Sequence, residues 1–312
     1  MKIITNLKYL HRQFKAPVVA LGIFDGVHLG HKKIFKEVIK EAKCLSGASV
    51  AVTFNPHPRR VLDMIGAPPL LVSLKHRLAL MEMEGLDVAV VLDFNKDLAG
   101  YSAEEFVKKI LVNKIGARQV IVGANFKFGK DKTGDINFLR YAGQRFGFSV
   151  KGVRLHKVGS LPVSSSRIRS MITSGRLKEA SGLLGRPVSI LGTVTSGSRR
   201  GRTLGYRTAN VNPHHEAIPA GGVYAVYVLI GRKKYKGILN IGCRPTFQKR
   251  SRLPGDDATV IEVHIFGFNK DIYGRDIEVI FVKRLRAEKK FPNKEILVKQ
   301  IKIDERKAHM IL

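Results

Sequence analysis

Five apolar runs recur through the first half of the chain: "APVVALGIF" (16–24), "ASVAVTF" (48–54), "LDVAVVLDF" (86–94), "ARQVIVGANF" (117–126) and "FSVKGVRL" (148–155). Because they are continuous rather than alternating, they predict strands buried on both faces, as in a parallel sheet covered by helices. Helical patterns lie between them. In "HKKIFKEVIKEAKCL", Ile34, Phe35, Val38, Ile39, Ala42 and Leu45 recur at three and four, with lysines and glutamates opposite. "SLKHRLALMEMEG" and "SAEEFVKKILVNKIG" repeat the design, the latter opening on Ser102 and Glu105 as a capping box and closing at Gly116. This order defines a doubly wound α/β domain, whose ligand belongs beyond the carboxyl ends of the strands.

The pattern changes after "SSSRIRSMITSGRLKEASGLLGRP". From residue 188 short strand runs succeed one another, "VSILGTVTSG", "GGVYAVYVLIG", "KKYKGILNIG", "ATVIEVHIFGF" and "RDIEVIFVKRLR", divided by Gly, Pro, Asn and Asp turns. Such spacing predicts a small antiparallel β-barrel, and "NKEILVKQIKIDERKAHMIL" adds a C-terminal helix. The boundary falls at Gly185 to Pro187, dividing the chain into domains 1–185 and 186–312. A length of 312 residues is enough for two cores.

The net charge of +30 is the one compositional outlier and raises the question of nucleic acid. Residues 186–312 hold 25 Lys/Arg against 11 Asp/Glu, or +14, which leaves +16 for the rest. The charge is spread over both halves, with no basic tail and no helix-turn-helix, zinc-finger or RNA-recognition signature, and a positive field equally serves polyphosphate substrates. The first ten residues lack the apolar core of a signal peptide, and no run approaches the ~20 apolar residues of a membrane span. A cytoplasmic protein without membrane association is expected. Cys44 and Cys243 lie far apart in different domains, so buried or inert thiols are expected rather than a disulfide.

The stretch "GIFDGVHLGHKK" (22–33) joins the first run to the first helix. Glycines let backbone approach a phosphate closely, and the free amides and dipole of a helix start favour an anion. His28 and His31 admit several readings there. They can be polar first-turn residues. A metal pair lacks partners at recognised spacing, since His57 comes directly after a proline. A haloacid-dehalogenase-type phosphatase needs an aspartate two before Asp25, where Ile23 stands. The remaining reading is nucleotidyl transfer, in which the imidazoles of "HLGH" donate to ATP phosphates and stabilise charge at the α-phosphate.

Three further stretches extend the pattern: "TFNPHP" (53–58), "VGANFKFGKDKTG" (122–134) and "VSSSRIR" (163–169). Together they resemble, in order, the signatures GxFDGVHxGH, TFxPHP, VGxDFxFG and SSTxIR of the FMN adenylyltransferase module in the prokaryotic bifunctional riboflavin kinase/FAD synthetases. The resemblance implies that Gly22, Phe24, Asp25, His28, Gly30, His31 and His57 serve the ATP site, with Ser164, Ser165, Arg167 and Arg169 as its second phosphate-binding element. It implies that Asn125, Phe126 and Phe128 border the flavin, although alternate phenylalanines also suit core packing. Asn125 stands where many members carry Asp, and Ser166 where Thr is frequent. The loss of a charge at residue 125 speaks against a direct metal role there.

The second half resembles the riboflavin kinase module through "GSRRGRTLGYRTANV" (197–211), "GGVYAV" (221–226), "NIGCRPTF" (240–247), "VIEVHIF" (260–266) and "YGRDIEVIFVKRLRAEKKF" (273–291). This implies ATP binding by Gly197, Gly201 and Arg202, Mg²⁺ held with ATP by Thr208 and Asn210, and flavin contacts from Arg286 and Glu288. Glu262 can be argued from the pattern itself. Both alternating faces of "TVIEVHIF" are largely apolar, so a carboxylate there needs a partner or a task, such as general base for the flavin 5′-hydroxyl. A salt-bridged or rim acid is the other reading. Arg207 replaces the family's proline before Thr-Ala-Asn; it either loosens the ATP loop or contacts a phosphate itself. The implied partners are riboflavin, FMN, FAD and ATP. The rival readings are FMN adenylylation alone over a degenerate barrel, and nucleic-acid binding on an inactive scaffold.

Overall fold

In a computed structural model, the structure describes residues 1–10, 14–196, 206–214, 216–243 and 259–312. By their contacts these form two units, Met1–Pro68 with Leu74–Ser165, and Pro69–Ser73 with Ser166–Leu312.

The first unit runs β1 (Lys2–Ile4), β2 (Val18–Leu21), α1 (Leu29–Cys44), β3 (Ser49–Asn55), α2 (Pro58–Leu62), α3 (Leu74–Met83) and β4 (Val88–Asp93). It continues with α4 (Lys96–Ala99), α5 (Ala103–Phe106) extended by a π-helical stretch Val107–Ile115, β5 (Gln119–Gly123), α6 (Ile136–Phe146), β6 (Ser149–Val153) and the two-residue pair β7 (Lys157–Val158) and β8 (Leu161–Pro162). The main sheet is parallel throughout, in the order β1-β4-β3-β2-β5-β6. Its central strands are buried on both faces, as continuous apolar runs require. The chain leaves β2 toward β3 on one side and later inserts β5 on the other. The carboxyl ends of β2 and β5 therefore flank a topological switch point, the usual crevice for a ligand.

The capping box forms as expected: Glu105 N donates to Ser102 Oγ at 3.1 Å, Ser102 N donates to Glu105 Oε2 at 3.0 Å, and Gly116 ends the helix at φ +70°. The strand β1 is too short for its pattern to be legible, and α6 lies outside the helical patterns identified above. Cys44 is a free, exposed cysteine at the end of α1, so of the two expectations for it, buried or inert, burial does not hold. In α3 the buried residues are His76, Arg77, Leu80 and Met81, so this helix does not repeat the simple apolar stripe of α1.

From Ser166 onward the second unit takes in the rest of α7 (Ser165–Thr173) and then α8 (Leu177–Leu184), which ends at Gly185 in the left-handed conformation. Strands β9 (Ser189–Thr195), β10 (Ala209–Asn212), β11 (Gly222–Ile230), β12 (Lys233–Cys243), β13 (Thr259–Ile265) and β14 (Asp276–Arg286) close an antiparallel barrel in the order β10-β13-β12-β11-β14-β9, and α9 (Lys294–Ile311) completes the chain. The change from α/β to barrel thus comes at Gly185, whereas contacts group α7, α8 and Pro69–Ser73 with the barrel. The buried Glu216 explains the latter segment, accepting from Ser73 N at 2.6 Å and Leu191 N at 3.3 Å.

Strand β10 escapes a reading of the sequence because "ANVN" is short and polar. The barrel interior takes Tyr224, Val226, Val228, Leu239, Ile261, Val263 and Ile265. Helix α9 covers an outer face, packing Ala308 with Ala225 and Ile238, and Tyr227 Oη donates to the Leu312 carbonyl at 2.8 Å.

Candidate active sites

Parallel strands place the loops after β2, β3 and β5 on one edge of the sheet, so His28, His57 and Asn125 share that edge. His28 is the N-cap of α1: its Nδ1 accepts from His31 N at 3.4 Å, which leaves the proton of the neutral ring on Nε2. His57 caps α2 in the same way, accepting from Arg59 N at 3.1 Å. The two imidazoles of the "HLGH" turn stack with centroids 3.6 Å apart, and Phe24 meets His31 edge-on at 5.3 Å. Burial, then the neighbouring His28 and the Arg77 cation, hold His31 well below the ordinary value of 6.5. The pair is thus arranged to supply neutral N–H donors at the start of a helix, where an anion is favoured.

The glycines of this turn also meet a packing demand of the protein itself. A Cβ on Gly22 would lie 2.9 Å from the Phe24 ring, and one on Gly30 would lie 3.1 Å from His28 Cε1. They make room for the protein's own rings. Asp25 is 3% exposed, its charge supports the Arg77 guanidinium, and its carbonyl accepts from Ser165 Oγ at 2.9 Å. Phe128 lies in the core against Phe106 and Phe138, so core packing is the reading that holds for it. Phe126 is half-buried and stacks on Phe128, and Asn125 is exposed in a turn rather than a strand. Ser164 is exposed; Arg167 and Arg169 belong to the second unit, where Arg169 Nε donates to the Pro69 carbonyl at 2.6 Å.

In the barrel, Glu262 faces Asn210 on one neighbouring strand and Asn240 on the other, and Asn210 faces Thr195. Residues directly opposite on paired strands lie on one side of the sheet. Thr195, Asn210, Glu262 and Asn240 therefore form a polar row across four strands. Glu262 is half-buried on the outer face while Ile261 and Val263 fill the interior. This corrects the premise of a carboxylate between two apolar faces: barrel closure buries only one of them. Asn240, which sequence reasoning misses, comes to notice only through this register.

Glu288 lies against the same row, since a Cβ on Gly242 would meet Glu288 Oε1 at 2.5 Å and Asn240 Nδ2 at 3.2 Å. Arg286 is engaged with α9: its Nε donates to Asp304 Oδ2 at 2.8 Å, and Gln300 Nε2 donates to Asp304 Oδ1 at 2.9 Å. Asp304 is 2% exposed, so removing it strands a charge against a buried face. Asp304→Ala is expected to destabilise the barrel by about 3 kcal/mol, read as a lowered midpoint in urea unfolding followed by circular dichroism, with Asp304→Asn losing less.

Thr208 and Arg207 line a cavity of about 350 Å³ together with Val194, Val263, Asn269 and Asp271. Arg207 is held at both ends: its Nη1 donates to the Asn269 carbonyl at 3.4 Å, and its own carbonyl accepts from His264 Nδ1 at 2.8 Å. These bonds restrain the turn where proline would have fixed φ. Gly197, Gly201 and Arg202 lie outside the described residues.

A strand-end turn carrying a stacked imidazole pair at a helix start, together with a barrel carrying a carboxylate–amide row, suits a two-part nucleotide-dependent transferase. The FAD synthetase family model matches residues 11–167, and the riboflavin kinase family model matches residues 184–312. The chain belongs to the bifunctional riboflavin kinase/FMN adenylyltransferase family. A bifunctional riboflavin kinase/FMN adenylyltransferase of Pseudomonas fluorescens is 37% identical over 304 residues, covering 97% of this chain and 96% of the relative. The protein of the same name from Escherichia coli (strain K12) is 33% identical, with 96% and 95% covered. A Streptococcus pneumoniae crystal structure described as a macrolide-efflux protein is 33% identical with a TM-score of 0.82 over 98% of both chains. No helix among the described residues of this chain is long and apolar enough to cross a membrane.

Proposed function

We propose that this chain phosphorylates riboflavin to FMN in its barrel and adenylylates FMN to FAD in its α/β half, consuming ATP in both steps. The observation that carries this reading is the placement of both sets of chemical groups in one chain that aligns end to end with bifunctional relatives. Domains 1–185 and 186–312 divide the two reactions.

In the first step the flavin 5′-hydroxyl oxygen attacks the γ-phosphorus of ATP, Glu262 takes the hydroxyl proton, and ADP leaves. Asn210 and Asn240, on either side of Glu262, orient the carboxylate and the incoming hydroxyl. Thr208 and Asn210 offer only oxygen donors that suit a hard cation, which fits Mg²⁺ carried in with the phosphates. When bound, the ion offsets phosphate charge. Arg286, anchored by Asp304, and Glu288 border the flavin, while Gly197, Gly201 and Arg202 serve the nucleotide.

In the second step a phosphate oxygen of FMN attacks the α-phosphorus of ATP and pyrophosphate leaves. The nucleophile is already ionised, so no strong base is needed. His28, His31 and His57 donate to the phosphates, Ser164, Ser165, Arg167 and Arg169 receive the leaving pyrophosphate, and the Gly22–Gly30 loop with Phe24 and Asp25 shapes the pocket. Asn125 and Phe126 border the flavin, supported by Phe128. ATP use at two sites suits the cytoplasm.

Incubation with riboflavin, ATP and Mg²⁺, with flavins resolved by chromatography, is expected to yield FMN and then FAD. FAD from supplied FMN with no FMN from riboflavin would reduce the barrel to a binding module.

A further inference from the structure

We infer that Arg77 is a positioning residue for adenylyl transfer, holding from below the strained loop on which His28 and His31 are mounted. The inference rests on the adenylyltransferase reading of the first unit.

Arg77 lies in α3, more than fifty residues along the chain from Ile23, and is 2% exposed. Burying a guanidinium is costly unless its donors are used and its charge is met. Nη1 donates to the Ile23 carbonyl at 2.6 Å and to Thr53 Oγ1 at 3.2 Å, and Nη2 donates to the Phe54 carbonyl at 3.2 Å. Thr53 Oγ1 itself donates to the same Ile23 carbonyl at 2.8 Å. The end of β2 is thereby tied to the end of β3 through one planar fork.

The residues just after Ile23 are the ones that need such an anchor. Phe24 has φ +55°, Gly26 +90° and Val27 +41°, so a bulky aromatic and a β-branched residue both adopt the left-handed region. Each such residue is strained and persists only when its surroundings over-determine it. The next residue is His28. The pin at Ile23 therefore fixes where the loop starts, and the helix cap at His28 fixes where it ends.

The charge adds a second effect. Asp25 acts on Arg77 to favour its charged form, against burial that brings the guanidinium down to about 10. Arg77 in turn acts with His28 on His31; His156 packs beside Gly30 on the same turn. A cation held in a poorly solvated position behind the imidazoles raises the local potential for a triphosphate and disfavours a charged His31. Arginine suits the position because its fork reaches two strands at once, whereas lysine carries charge at a single point.

The test uses the full chain with Arg77→Met and Arg77→Lys. FAD formation from FMN is measured across ATP concentration, riboflavin phosphorylation is measured in parallel, and the histidine imidazoles are titrated by NMR. Arg77→Met is expected to lower kcat for FAD formation by about 100-fold, with riboflavin phosphorylation within twofold of wild type. Arg77→Lys is expected to recover about tenfold of that loss, and His31 titrates at higher pH in the methionine variant than in the other two. FAD formation within twofold of wild type in Arg77→Met would overturn the inference. So would a parallel fall of both activities, or a lysine variant no better than methionine with His31 unmoved. Failure of the wild-type chain to adenylylate FMN would instead overturn the underlying reading, and the His31 titration would still judge the placement of Arg77.

Discussion

His28→Ala is expected to abolish FAD formation from FMN while riboflavin phosphorylation stays within twofold of wild type. Three losses fall on one residue. The first is the N-cap of α1, since His28 Nδ1 accepts the His31 amide; such caps contribute about 0.5–2 kcal/mol. The second is the stacked partner that holds the His31 ring at 3.6 Å, so that both donors lose their aim. The third is the Nε2 donor itself. Removing one preorganised donor to a developing oxyanion costs about 10²–10³ in kcat, and the loss of alignment multiplies it. Chromatography of flavins from separate FMN and riboflavin incubations reads both activities on one preparation. Substantial FAD synthesis by the variant would remove the imidazoles from the mechanism, and equal loss of both activities would contradict two separate sites.

Glu262→Gln is expected to show the opposite selectivity, lowering FMN formation from riboflavin by about 10²–10⁴-fold with FAD formation from FMN unchanged. Glutamine keeps the shape and the facing positions of Asn210 and Asn240, so the barrel register is preserved and only the proton acceptor is removed. The outer, half-buried setting makes this substitution mild for stability, because no charge is stranded in the interior. Rate is therefore the informative readout. A variant that phosphorylates riboflavin at the wild-type rate would assign Glu262 to the barrel surface alone.

These two residues differ in how far a linear pattern can describe them. His28 and His31 stand three apart at a strand-to-helix junction, and their arrangement is local: one turn of helix suffices to stack them and cap the amides. The capping box at Ser102 and Glu105 is legible for the same reason. Glu262 stands out in the sequence as unusual, but by an incomplete argument, because which face of a strand is buried depends on the strands that pair with it. Phe128 likewise fits either reading until Phe106 and Phe138 are brought against it from other segments.

Apart from β1, α6 and β10, the order of the main strands and helices, the change from parallel α/β to antiparallel barrel near Gly185, and the motifs at the strand ends are legible in the chain, since they depend on short-range periodicity and capping. The partners of those motifs come from the folded arrangement alone. Arg77 reaches Ile23 from 54 residues along the chain, Asp304 closes on Arg286 from the last helix, and the row through Asn210, Glu262 and Asn240 exists only in the register of three separated strands. A buried charge or amide takes its partner from whatever the fold places within hydrogen-bond reach. That proximity is a property of packing, and no local pattern encodes it.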